Sequence, residues 1–320
     1  MPWRHIIRRK HCSMSKIESP PDSAPPIWTI AKLLQWSSDY LAARQIDSPR
    51  PTAEVLLAHV LGRPRIDLYI HFEKPLEANE LQHFKALIKR RTAREPLAYI
   101  SGIKEFWSCE LTVNEHVLIP RPETECLVEH ALAALDQSDG NRCKRVLDLG
   151  TGSGAIVVAL ASNRPQHTYV ATDIDGAALS TARHNALRYP AAGEIHFVRS
   201  NWLAGFRPSP CFDLIVSNPP YIVSNEIARL QPEIHRYEPR LALDGGRDGL
   251  DACRAIISNA LSCLTPGGQL LLEIGFDQAE AVRKIAERQP RFRTVTVHPD
   301  YSGKARVVQI ETKCDPAELP

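Results

Sequence analysis

No two cysteines in this sequence stand at C-x-x-C spacing. The eight cysteines, Cys12, Cys109, Cys126, Cys143, Cys211, Cys253, Cys263 and Cys314, are scattered singly. Zinc-ligand spacing is therefore absent. In a chain of 320 residues they make no disulfide framework either, and they read as isolated thiols of a reducing compartment. His184, His196 and His235 also lack metal spacing, so no metal is expected. Neither sign of charge dominates: 39 Lys and Arg face 37 Asp and Glu, a net charge of +2. Nucleic-acid-binding chains usually carry a basic surplus that neutralises phosphates, and its lack counts against stable nucleic-acid binding. No apolar run reaches the ~18 residues of a membrane helix, and no internal repeat is visible.

What is present suits a two-domain globular protein. Hydrophobic residues make up 43% and charged residues 24%, enough for a sizeable core with an ordinary surface. Residues 1–16 hold Arg4, Arg8, Arg9, Lys10 and Lys16 and no acid. An organelle transit peptide has that composition, which would place the protein in an organellar matrix. The preferred reading is an upstream start codon, with Met14 as the first true residue and a cytoplasmic protein. Pro20, Pro21, Pro25 and Pro26 then mark a linker, so residues 1–26 are expected to be a disordered extension.

From Ile27 to Glu95 the apolar spacing is helical: Ile30, Leu33, Leu34, Trp36 and Leu41; then Val55 to Leu61; then Leu81, Phe84, Leu87 and Ile88. The last stripe runs into Lys89-Arg90-Arg91, read as a solvated helix end that suits the negative pole of the helix dipole. Residues 27–95 thus form a small helical domain with a net charge of +3. Residues 96–120 mix Tyr99, Ile100, Phe106, Trp107 and Val113 with Ser, Gly and Thr, and read as a β-hairpin linker. Pro120 to Glu125 is a turn feeding a helix, with Thr124 as its expected cap.

From Arg145 strands and helices alternate. Strands are expected at 145–149, 168–172, 195–199, 212–217 and 269–274, with helices at 155–161, 177–187, 250–264 and 278–288. Residues 292–298 and 306–311 leave no room for a helix between them and should pair antiparallel at the end of the sheet. The fold class is α/β, a mixed seven-stranded sheet with helices on both faces. Residues 121–313 form this domain and 314–320 a tail.

The first chemical signal is Asp148-Leu149-Gly150-Thr151-Gly152-Ser153-Gly154, where a strand ends and a helix begins. Glycines there allow a sharp turn and close approach of a ligand, and ligands of open α/β sheets sit beyond the carboxyl ends of the strands. The next strand ends on Asp173, an acid placed to accept hydrogen bonds from ribose hydroxyls. The loop also fits the loose dinucleotide fingerprint, so the nucleoside cofactor stays open on the loop alone. Asp148 and three glycines at alternate positions are similar to the first motif of class I methyltransferases, which favours S-adenosylmethionine.

The second signal is Asn218-Pro219-Pro220-Tyr221 at the end of the fourth strand. Two prolines fix their own φ and restrict the residues before them. The side-chain oxygen of Asn218 and the carbonyl of Pro219 can then accept both hydrogens of one planar NH₂ group. Tyr221 would lie against its flat face.

With these motifs the chain resembles the HemK/PrmC family of release-factor glutamine methyltransferases. The resemblance runs from about Ile27 to Glu311. It rests also on Glu95 to Gly102, Glu105-Phe106-Trp107, Leu118 to Glu125, Tyr237-Glu238-Pro239-Arg240, Leu243 to Gly246 and Asp248-Gly249-Leu250. It implies cofactor contacts from Gly150, Thr151, Gly152, Ser153, Gly154, Asp173, Trp202 and Asn218. The catalytic contacts it implies are Asn218, Pro219, Pro220 and Tyr221. The implied substrate is the glutamine of the Gly-Gly-Gln loop in class I release factors, with the helical domain docking the rest of that protein. The family often has an acid where this chain has Asn201, whose side-chain oxygen can still meet an adenine amino group. Arg121 and Glu123 either border the site or pack the interdomain turn, and Glu273 is an acid in an apolar strand that needs a partner if buried.

Four rivals remain. An adenine-amino DNA methyltransferase shares Asn-Pro-Pro-Tyr but needs a base-flipping, target-reading part and a basic groove. An RNA base-amino methyltransferase is the second. A nicotinamide-dependent dehydrogenase leaves Asn218 to Tyr221 without a role. A non-catalytic adaptor has no use for the intact loop, acid and tetrapeptide.

Overall fold

The computed structural model describes residues 27–137, 142–190 and 193–314. The expected extension 1–26 and nearly all of the expected tail 314–320 lie outside them.

The helical part is built from α1 (Ile30–Ala42), α2 (Pro49–Leu61), α3 (Arg65–Ile70), α4 (Ala78–Thr92) and α5 (Leu97–Ser101). Thr29 caps α1 by accepting from the Lys32 N–H at 3.4 Å. Pro49 opens α2 where its missing N–H costs nothing, and Gly62 closes it in the left-handed region. Leu34, Leu41, Leu56, Leu57, Leu68 and Phe84 fill the core between these helices. Each such side chain contributes roughly 1.5–3 kcal/mol by leaving water. Trp36 departs from the expected stripe: it points outward and stacks on Tyr40 at 4.8 Å. Glu54 departs the other way. It is buried on α2 and takes bonds from Arg50, Arg65 and Tyr69.

The segment expected to be a hairpin over 96–120 is shorter and opens with a helix. Tyr99 and Ile100 belong to α5, because Pro96 fixes the entry to a helical turn. The hairpin itself is β1 (Ile103–Phe106) and β2 (Cys109–Thr112), turning through Trp107 and Ser108 at positive φ. After it, a tight turn at Pro122–Thr124 leads into α6 (Glu125–Asp136). Thr124 stands at the N-cap position of that helix, but its side chain makes no capping bond; its hydroxyl is used elsewhere.

The remaining elements are β3 (Arg145–Leu149), α7 (Ala155–Asn163), β4 (Thr168–Asp173), α8 (Gly176–Leu187), β5 (Ile195–Arg199) and β6 (Phe212–Ser217). They continue with α9 (Pro232–Tyr237), α10 (Asp251–Ala260), β7 (Leu264–Glu273), α11 (Ala279–Glu287), β8 (Phe292–Pro299) and β9 (Ala305–Thr312). The sheet has seven strands in the order β5-β4-β3-β6-β7-β9-β8. Strands β3 to β7 pair parallel, and β9 inserts antiparallel between β7 and β8. The two late strands are the expected antiparallel pair. β7 starts five residues before the expected Gln269, because the helix α10 stops at Ala260 and frees Leu264 to pair with Phe212. Leu127, Val157 and Leu160 cover one face of the sheet, and Ile256, Ile257 and Val282 cover the other. The chain reverses its winding between β3 and β6, and their carboxyl ends meet at Leu149 and Ser217. Such a switch point is where open sheets hold ligands.

The basic run at the end of α4 is not simply solvated, as expected from sequence. Arg91 is 6% exposed and donates to Glu233 of α9 at 3.0 Å from two nitrogens. Arg94, at φ +75°, donates to the same carboxylate at 3.3 Å. The Tyr237 hydroxyl donates to the Ala93 carbonyl at 2.8 Å. These bonds tie the helical part to the segment that follows Asn218–Tyr221.

Candidate active site

Asp148, at the end of β3, is fully buried. Its Oδ2 accepts from the Thr151 hydroxyl at 2.6 Å, and its Oδ1 has no partner. Burial pushes its carboxyl up to about 7. The glycine loop above it is a nest of backbone bonds. The Thr151 N–H donates to Thr172 O and the Gly154 N–H to Thr151 O, both at 2.8 Å. Gly150 and Gly154 both have positive φ, and each also permits a close approach. A Cβ on Gly150 would lie 3.3 Å from the Trp202 ring, and one on Gly154 would lie 3.1 Å from Ala182 of α8.

Asp173 ends β4 and faces the loop. Its Oδ2 accepts from the Gly152 N–H and its Oδ1 from the Asp175 N–H, each at 2.9 Å. Each oxygen keeps a lone pair for a ligand hydroxyl. Burial raises its pKa, and the backbone bonds oppose that rise. Trp202 stands in a turn at φ +48°. Ser200 pins that turn by donating to Trp202 O at 2.9 Å while accepting from the Gly205 N–H at 3.0 Å.

Asn218 follows Ser217, whose hydroxyl donates to Leu149 O at 2.7 Å and so fixes the tetrapeptide to β3. The Asn218 Nδ2 donates to Thr124 Oγ1 at 3.1 Å. Its amide oxygen is thereby turned away from Thr124. Behind it, Glu273 ends β7 at 1% exposure, with Oε2 unpartnered and Oε1 at 3.5 Å from the Tyr221 hydroxyl. Burial pushes Glu273 up to about 7 and Tyr221 up to about 12.

One cavity of about 360 Å³ joins these parts. Gly150 to Ser153, Asp173, Asn201, Trp202, Asn218 and Pro220 all line it. Three expected contacts do not. Gly154 is used up by helix packing against Ala182. Pro219 is buried, and Tyr221 directs its hydroxyl inward to Glu273. The cavity also takes in Thr124, Leu118 and Arg121 from the proline-arginine turn, and Leu241 and Asp244 from the segment after α9. Neither of these last two carries a chemical signature in the sequence: Asp244 lies in a motif that carried the resemblance, and Leu241 falls between two of those motifs. Arg121 is both a wall and a fastener: it pairs with buried Glu238, whose other oxygen accepts from the Ile119 N–H at 3.1 Å.

Residues 32–102 match the family described as the PrmC N-terminal domain, and residues 124–234 match the methyltransferase small domain. A release factor glutamine methyltransferase of Geobacter sulfurreducens is 44% identical over 89% of this chain and 97% of its own length. Its counterpart in Chlorobaculum tepidum is 41% identical over 86% of this chain and 95% of its own length. The chain belongs to the release factor glutamine methyltransferase family. Among solved structures, the hMettl16 catalytic domain in complex with a hairpin superposes with a TM-score of 0.52 at 16% identity. It covers 72% of this chain and 84% of that one, a likeness of fold alone. As a methyltransferase of this family, the chain keeps the glycine loop, the acid after β4 and the Asn-Pro-Pro-Tyr turn around one cavity. No helix among its described residues is long and apolar enough to cross a membrane.

Proposed function

We propose that this chain moves the methyl group of S-adenosylmethionine to the side-chain amide nitrogen of the glutamine in the Gly-Gly-Gln motif of class I peptide chain release factors. The observation that carries this reading is the Asn218 amide. It lines the same cavity as Asp173 and Trp202, and its nitrogen is committed to Thr124.

The residues present fit the cofactor. The cavity is of ligand size. Asp173 would take the ribose hydroxyls, Trp202 and Asn201 would flank the adenine, and Gly150 to Ser153 would supply backbone groups. When bound, S-adenosylmethionine supplies an electrophilic methyl on a sulfonium.

Everything else falls to this chain's own atoms. An amide nitrogen is a poor nucleophile, because its lone pair is delocalised into the carbonyl. In this reading Asn218, which lines the cavity, accepts an N–H bond of the substrate amide through Oδ1. As positive charge grows on nitrogen, that acceptor gains strength, which is where stabilisation accelerates a step. A fixed acceptor also reduces the orientational cost. Pro219, off the cavity wall, and Pro220 keep that acceptor from relaxing. The helical part would dock the body of the release factor, at work in the cytoplasm, and stable nucleic-acid binding has no part in this reading.

The test is a mass measurement on a purified class I release factor after incubation with the enzyme and S-adenosylmethionine. The expected result is one added methyl on the Gly-Gly-Gln peptide. An unmodified peptide, with methyl groups found instead on RNA or DNA, would overturn the reading.

A further inference from the structure

The chain leaves the Asn-Pro-Pro-Tyr turn at Tyr221 and returns beside it at Gly249. Between these two feet it makes an excursion. The excursion carries Glu233 and Tyr237 to the helical part and Glu238 to Arg121. It also brings Leu241, Ala242 and Asp244 to the cavity wall. Its two feet meet on one side chain. The Gln278 Nε2 donates to the Tyr221 carbonyl at 3.0 Å and to the Gly249 carbonyl at 3.1 Å. The Gln278 Oε1 accepts from the Gly275 N–H at 2.9 Å. Gln278 is 8% exposed and stands just before α11.

We propose that Gln278 is a positioning residue: its carboxamide staples the two feet of this excursion and so holds the Asn-Pro-Pro-Tyr turn in the place from which Asn218 works. Both N–H groups of the amide meet carbonyls and its oxygen meets an N–H, so one orientation alone satisfies all three bonds. Among the described residues neither foot carbonyl takes another donor. The fit leaves no slack. Gly249 stands at φ +75°, and a Cβ there would lie 2.5 Å from Tyr221 O and 2.6 Å from Gln278 Nε2. A Cβ on Gly245 would lie 2.8 Å from Tyr221 Cα. Glycine at both places lets the returning chain close on the Tyr221 backbone.

The two ends of the turn are held by different means. Its entry is fixed to β3 by the Ser217 hydroxyl on Leu149 O. Its exit is Tyr221, whose carbonyl Gln278 holds. Further along, the Ile222 N–H donates to Leu243 O at 3.0 Å and the Gly245 N–H to Ile222 O at 2.8 Å. Those bonds stay within the excursion, whereas Gln278 ties it to the loop after β7. Gln278 does not line the cavity. The groups assigned to the cofactor, from Gly150 to Trp202, lie outside the excursion, so loss of the staple should act on turnover and not on cofactor binding. The inference rests on the reading above only for the reaction whose rate is measured.

The experiment compares wild type with Gln278→Met, which removes all three bonds, and Gln278→Glu, which keeps the acceptor and, when ionised, has no donor. Val282→Ala, a buried truncation on α11, controls for lost stability alone. For each, kcat and KM on the release factor, calorimetric affinity for S-adenosylhomocysteine, melting temperature and backbone hydrogen exchange over residues 222–248 are measured. Gln278→Met should lose kcat by roughly tenfold to 10²-fold, the scale for a small displacement at a reacting centre. KM and cofactor affinity should change far less, and exchange over 222–248 should speed up. The kcat of Gln278→Glu relative to wild type should recover as pH is lowered, because a protonated carboxyl regains one donor. Val282→Ala should lose melting temperature and keep kcat. If Gln278→Met does not fold, the Gln278→Glu ratio decides alone, and a ratio indifferent to pH overturns the inference. Hydrogen exchange needs no substrate: a wild type inactive on release factors would overturn the functional reading, while the exchange still decides the staple. Wild-type kcat or wild-type exchange in Gln278→Met would overturn the inference, as would a Val282→Ala variant that matches its loss of kcat.

Discussion

Arg91, at the end of α4, reaches across to Glu233 of α9, and both side chains are largely buried. The pair joins the helical part to the segment whose Leu241 and Asp244 wall the cavity. Glu233 has a lowered pKa. Burial works against that lowering, and backbone and arginine bonds overcome it. Removing Glu233 strands the buried Arg91 charge, which in buried pairs costs about 3–5 kcal/mol, whereas removing Arg91 leaves Glu233 with Arg94. Glu233→Ala should lower stability to denaturant by something on that scale, and Arg91→Ala by less. The double variant should lose less than the sum, with a coupling of about 1–3 kcal/mol. Additive losses would show that the two parts are held by apolar packing and that this pair is incidental.

Asp173→Ala should weaken cofactor binding by about 1.5–3 kcal/mol, the scale for bonds to a charged group. Part of that loss would come through the loop itself, because the carboxylate also holds the Gly152 and Asp175 N–H groups. Calorimetry with S-adenosylhomocysteine reads the change. An unaltered dissociation constant would reduce Asp173 to a loop fastener.

Asn218→Ala should lower turnover by roughly 10²-fold, the scale for losing one preorganised polar partner. It should also release the Thr124 hydroxyl, its partner at 3.1 Å. Melting temperature should barely move, and cofactor affinity should fall far less than turnover. Both are read on one preparation. Near wild-type methylation would remove Asn218 from the chemistry and leave the tetrapeptide as a rigid strand end.

The cavity side of the site was legible because its parts obey local rules. A strand end, alternate glycines and an acid at the next strand end force a nest of backbone bonds whatever lies elsewhere. The strands at 145–149, 195–199 and 212–217 fall where alternation placed them. What stayed hidden depends on partners far apart in sequence. Thr124 looks like a helix cap until the fold brings Asn218 to it from 94 residues away. Arg91 looks like a solvated helix end until α9 arrives with Glu233, 142 residues on. Glu54 sits among apolar neighbours on α2, and only the later turn of α3 supplies Arg65 and Tyr69. Gly154 matches a ligand motif, yet its missing side chain serves the packing of Ala182. A glycine that touches a ligand and one that touches a helix look the same in sequence.

The stability of the cofactor-free protein should depend on pH through its buried carboxyls. Asp148 and Glu273 are buried carboxyls pushed up to about 7 from ordinary values near 4. Between those values the unfolded chain is ionised while the folded chain still holds both protons. The folded state therefore binds more protons in this window, and stability must fall as pH rises through it. Above about 7 the folded protein carries two buried negative charges and the full penalty, on the order of 3–4 kcal/mol for each group taken alone. Glu54 works in the opposite direction. Burial would raise it, but bonds from Tyr69, Arg65 and Arg50 pull it down to about 2. Its contribution is present above its unfolded value and is lost as pH falls toward 2. Stability should therefore peak near pH ~4, decline below it, and decline above it until both buried carboxyls are ionised beyond about 7. Urea denaturation at half-unit steps from pH ~3 to ~9 would trace that curve for wild type, Asp148→Asn and Glu273→Gln. Each variant should flatten the decline between pH ~4 and ~7, because its titrating proton is gone. Curves parallel to wild type would mean that neither carboxyl is held neutral by burial, and that the Asp148 oxygen without a partner meets solvent in the folded protein.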